Sequence, residues 1–130
     1  MIRALLGVFG GLALAMAMVY VLQGIGQQIY PPPAGLDPAD REAFSAAVAA
    51  MPLMALVMVL VAYALGTFAG AWVAARIGGR PFYAFLVGGV MTMAGMGNLI
   101  AVPHPLWFTI VAVLLFLPSA WLASRVADFD

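Results

Sequence analysis

In this chain of 130 residues, 66% are hydrophobic and 8% charged, whereas a soluble domain is ~25% charged and, at this size, leaves too much surface in water to hide so apolar a composition. Five arginines balance five acidic residues and there is no lysine, so the net charge gives no reason to expect a nucleic acid or an acidic ligand. Without cysteine and with one histidine, disulfides and thiolate metal sites are excluded. A zinc site, which takes three or four ligands, is not expected either, and no cofactor is implied.

Four apolar runs follow one another, at about 2–25, 51–75, 82–102 and 106–126. Each reaches the ~20 residues that cross a ~30 Å hydrocarbon core as a helix. Backbone groups in lipid need partners within their own segment, and the alternating ten-residue strands of a barrel are missing. The expected fold is therefore all-α: one domain over 1–130, a polytopic membrane protein with four transmembrane helices in an up-down bundle, with the lipid bilayer as its first partner.

In the first span, Arg3 followed by an apolar stretch and Ala15-Met16-Ala17 imitates a secretory signal and its cleavage site. The apolar run continues to Ile25, so the expectation is a retained span. Gly7, Gly11 and Ala15 form a ridge of small residues at every fourth position. Gln23 and Gln27, four apart, share a face at the end of the span.

The loop at 27–50 carries Pro31-Pro32-Pro33, which favours an extended segment, and then Asp37-Pro38-Ala39-Asp40. That tetrad has the pattern of an Asp N-cap with proline at the first helical position. A short outer helix is expected through the alanine-rich stretch 43–50, with Phe44, Val48 and Met51 on one face. It should lead into span two with a bend at Pro52, which lacks a backbone donor.

Span two presents a longer ridge: Ala62, Gly66, Gly70 and Ala74. Small residues at this spacing let a neighbouring backbone approach closely, which is what drives helix association in lipid. The ridge is expected to pack within the bundle, against another copy, or against a larger partner. Span three offers Gly89 and Gly97 on one face and Ala84, Gly88 and Thr92 on another, with Asn98 near its end. Pro103-His104-Pro105 reads as a tight turn, and Pro118 as a kink in span four.

Arg3, Arg76, Arg80 and Arg125 all fall on one side of a four-span chain. The positive-inside rule makes that side cytoplasmic, and places both termini there. The remaining arginine, Arg41, lies in the outer loop beside Asp37, Asp40 and Glu42.

No acidic or basic side chain falls in the interior of a span, Arg3 and Arg125 standing at span ends, whereas proton-coupled and ion pathways usually carry one at membrane depth. Small multidrug exporters have about this length and span count, but they depend on an acidic residue in the first helix that is missing here. The candidate polar site gathers at the outer end: Gln23, Gln27, Asn98 and His104. Tyr30 and Trp107 fit the aromatic belt at the interface.

The strings Gly66-Thr67-Phe68-Ala69-Gly70 and Asn98-Leu99-Ile100-Ala101-Val102-Pro103-His104-Pro105-Leu106-Trp107-Phe108 resemble a group of small bacterial four-helix membrane proteins. The resemblance covers a little over half the chain and implies the fold; the group has no established activity to transfer. The expected function is non-enzymatic: a self-associating protein or an accessory subunit in a bacterial inner membrane, a homo-oligomer or bound to other membrane subunits. The alternatives are a small transporter or channel entered at the outer polar cluster, and a binder of lipid or quinone headgroups.

Overall fold

The computed structural model describes residues 1–31, 39–101 and 105–127, and these form five helices and no strand. They are α1 (Ile2–Ile29), α2 (Arg41–Ala49), α3 (Leu53–Gly78), α4 (Pro81–Ala101) and α5 (Leu106–Val126). All but α2 are long and apolar enough to cross a membrane. At 1.5 Å per residue α1 extends ~42 Å, longer than the hydrocarbon core. Its extra turn is built from Gln27 and Gln28, good helix formers.

The helix ends follow local chemistry and correct two expectations. Asp40, not Asp37, is the N-cap of α2: its Oδ1 accepts from the Ala43 N–H at 3.1 Å, and Glu42 occupies the first turn. A carboxylate there complements the positive end of the helix dipole. Asp37 and Pro38 lie outside the described residues. Likewise Pro52 does not bend one continuous helix. It stands in extended conformation (φ −56°, ψ 146°) as the N-cap residue of α3, after a break at residues 50–51, because a proline pushes the preceding residue out of the helical region. Val48 of α2 is buried and Met51 packs against the core.

α3 ends at Gly79, whose left-handed backbone (φ 81°) lets its N–H donate to the Ala75 carbonyl at 2.8 Å. Two residues later Pro81 opens α4, a position where a missing N–H costs nothing. Arg3 of α1 donates through Nε to the Ile77 carbonyl at 3.1 Å, filling one of the orphan acceptors at the end of α3. Pro105 caps α5 in extended conformation, while Pro118 lies inside α5 without ending it. The rest of the expected turn, Pro103 and His104, falls outside the described residues.

α3 is the central helix, packed against α1, α4 and α5, whereas α1 and α4 touch only lightly. The α1–α3 seam is made by the two ridges read from the sequence. Gly11 and Gly70 each sit against the other's backbone carbonyl. A Cβ added to Gly66 would lie 2.8 Å from the Ala15 carbonyl oxygen, and one added to Gly7 would lie 2.9 Å from that of Ala74. The partner numbers fall along one helix as they rise along the other, so the helices run antiparallel. Backbones at this range gain dispersion and Cα–H···O contacts of ~0.5–1 kcal/mol each. At the α4–α5 contact the glycines receive side chains instead, Gly88 the Ala120 methyl and Gly95 the Phe116 ring.

These contacts gather the helix ends bearing Arg3, Arg76, Arg80 and Arg125 at one end of the bundle. Asp40, Arg41 and Glu42 are at the other.

Candidate functional site

α1 and α4 do not close on each other, and a cleft of about 240 Å3 opens between them. Met16, Val19, Tyr20 and Gln23 of α1 form one wall, and Met91, Ala94, Gly95 and Asn98 of α4 the other. Tyr63 of α3 and Phe116 of α5 form the floor. Among the described residues, the lining includes no carboxylate, arginine or histidine; its polar groups are the Tyr20 and Tyr63 hydroxyls and the Gln23 and Asn98 amides, and its mouth faces the surroundings of the bundle.

Its polar centre is Tyr63. The Asn98 amide donates through Nδ2 to the Tyr63 hydroxyl at 3.1 Å, and Gln23 approaches the same hydroxyl from α1. Tyr63 lies ten residues into α3, yet it meets Asn98 three residues from the end of α4. Side chains on a helix lean toward its N-terminus, and the N-terminal end of α3 lies beside the C-terminal end of α4. The ring is held by α5: its centroid lies 5.4 Å from that of Phe116 and 6.5 Å from that of Phe108, the latter edge-on. Both phenylalanines are fully buried, so the hydroxyl is fixed in place by packing behind it.

Of the expected polar residues, Gln23 and Asn98 are thus brought together on one hydroxyl. Gln27 lies one turn farther along α1, outside the cleft, in an adjoining small crevice that Gln23 also lines together with Tyr30, Met51 and Met58. His104 lies outside the described residues. Sequence reasoning passed over Tyr63, although an interior tyrosine in an otherwise apolar run signals a hydroxyl that needs a partner. It also passed over Phe116, whose apolar environment gives no such signal.

Beneath the cleft the bundle is filled. Thr67, Val87 and Phe116 are completely buried, as are Ala71, Ala84 and Ala120. The Thr67 hydroxyl is the one buried side-chain polar atom among the described residues without a hydrogen-bond partner. No cluster of three or more metal-ligating side chains occurs among the described residues.

No protein-family model, curated protein or solved structure matches the chain.

Proposed function

We propose that this chain is a multi-pass protein of a bacterial inner membrane, with both termini cytoplasmic, that acts without catalysis. In this reading it is an accessory or assembly subunit of a membrane complex and engages its partner at the cleft between α1 and α4. The observation that carries the proposal is the cleft itself: a hydrogen-bonding centre, Tyr63 with Asn98 and Gln23, opening sideways between two lightly touching helices. A membrane-dissolved partner reaches such a site without leaving the bilayer. The arginines at one end of the bundle support the direction. The ridge of Ala62, Gly66, Gly70 and Ala74 is occupied by α1, so association of the folded chain, with itself or with another subunit, uses a different surface.

One observation favours a second reading, a binder of quinone or lipid headgroups. A volume of about 240 Å3 suits a single ring or headgroup better than the flank of a helix. A transport pathway is disfavoured by the filled interior beneath Tyr63 and Phe116.

The test is gentle detergent extraction, with identification of the proteins and lipids that co-purify with the wild type and with Ala94→Phe. Ala94 is exposed in the cleft wall, so the larger ring fills the cleft without entering the core. The proposal expects a discrete protein partner that Ala94→Phe releases. A single amphiphile released instead moves the assignment to the second reading. Identical co-purifying components in both contradict a role for the cleft.

A further inference from the structure

The arginine-bearing end of the bundle has a cleft of its own, about 510 Å3, between the start of α4 and the end of α5. Pro81, Phe85, Trp121, Ser124, Arg125 and Ala127 line it. We propose that it binds the phosphate-bearing headgroup of an anionic phospholipid, with the acyl chains running along the apolar α4–α5 surface.

The donor is Arg125. Its guanidinium carbon lies 5.7 Å from the centroid of the Trp121 ring, a cation–π contact that restrains the side chain while leaving its N–H groups available to an oxyanion. The Ser124 hydroxyl is engaged with the Trp121 carbonyl at 2.6 Å, so the guanidinium carries the recognition. Arg80 directly precedes Pro81 on the rim, and Arg3 and Arg76 add to the same end. Even against Asp128 and Asp130, which follow in the sequence, arginines are in excess there. The walls are suited to a lipid and not to a free anion. Phe85 and Trp121 are 39% and 49% exposed and present apolar area beside the charge, at the depth where tryptophan sits in the headgroup region. The charge pattern and the apolar walls together define a phosphate attached to hydrocarbon.

The experiment exchanges lipids into the full-length protein in uncharged detergent and counts those retained by native mass spectrometry. Phosphatidylglycerol is compared with phosphatidylcholine of the same chains. The proposal expects phosphatidylglycerol to be retained in preference. Arg125→Gln should weaken that retention about fivefold, the worth of one arginine near an anionic surface. Arg41→Gln, at the opposite end, should leave it unchanged. Pro81→Glu is the second variant: it places a carboxylate on the rim, where the first turn of a helix favours one, and should weaken retention similarly. Equal retention of both lipids, or a preference unaffected by both cleft variants, overturns the proposal. Competition by inorganic phosphate as strong as by the lipid also overturns it, assigning the cleft to a free anion.

Discussion

α1 has two neighbours and treats them in opposite ways. Against α3 it brings backbone to backbone, with Gly11 and Gly70 each lying on the other's carbonyl. Against α4, only lightly touched, it leaves a cleft whose floor is a tyrosine hydroxyl. The first contact is unspecific in chemistry and exacting in shape; the second is loose in shape and specific in chemistry. In a bilayer this division has a physical basis. Lipid gives no hydrophobic reward for burying one apolar helix against another, so helices cohere where small residues permit close approach. They come less close where side chains are large, as at Met16 of α1 and Met91 of α4 on the two walls of the cleft.

The contrast is broken most severely at the seam. Gly11→Leu or Gly70→Leu forces a side chain into a backbone, and the loss of stability is expected to exceed the ~1–3 kcal/mol usual for overpacking. Thermal unfolding in detergent measures it, and a melting curve unchanged from wild type would remove the seam as the source of cohesion. The same substitutions are expected to destabilise the folded monomer itself and not merely its association with a partner.

A smaller effect is expected in the cleft. Tyr63→Phe removes the acceptor of the Asn98 bond and keeps the ring between Phe108 and Phe116, so stability should fall by only about 1 kcal/mol. Binding at the cleft should suffer more than stability does, and comparison of retained partner with melting temperature separates the two.

Thr67→Val works in the other direction. It replaces a fully buried hydroxyl that has no partner among the described residues by a methyl of similar volume. A gain of up to ~1 kcal/mol is expected, since burying an unmatched polar group is unfavourable. A clear loss in the unfolding curve would mean that the hydroxyl has a bonded role.

The smallest effect belongs to Gly10 and Gly89, where an added Cβ meets nothing within 4 Å. Replacing either with leucine should change monomer stability by less than ~0.5 kcal/mol. A large effect confined to an oligomer, seen by cross-linking, would instead mark that face as a protein contact.

Much of this architecture was legible in the sequence because its causes are local. The lengths of the apolar runs give the spanning helices. The four-residue periodicity gives both ridges, and their pairing is the simplest use of two complementary surfaces. The outer helix was legible in kind but not in its cap, since Asp37 and Asp40 carry the same chemistry and only the backbone's path selects Asp40. The site was half legible. Gln23 and Asn98 announce themselves as amides in apolar surroundings, but Tyr63 is their meeting point only because α3 and α4 run in opposite directions beside each other. Phe116 shapes the floor through a contact with Gly95 that no local pattern encodes. Gln27 shares a helical face with Gln23, yet one turn carries it out of the cleft.

The most direct test of the division between a sealed and an open face uses two positions on α1. A photo-crosslinking residue replaces Met16, in the cleft wall, or Gly10, which faces open space, and cells are irradiated. A discrete adduct is expected at position 16 that Asn98→Leu abolishes, and only diffuse lipid labelling at position 10. Indistinguishable labelling at the two positions, or an adduct at position 16 that survives Asn98→Leu, would contradict that division.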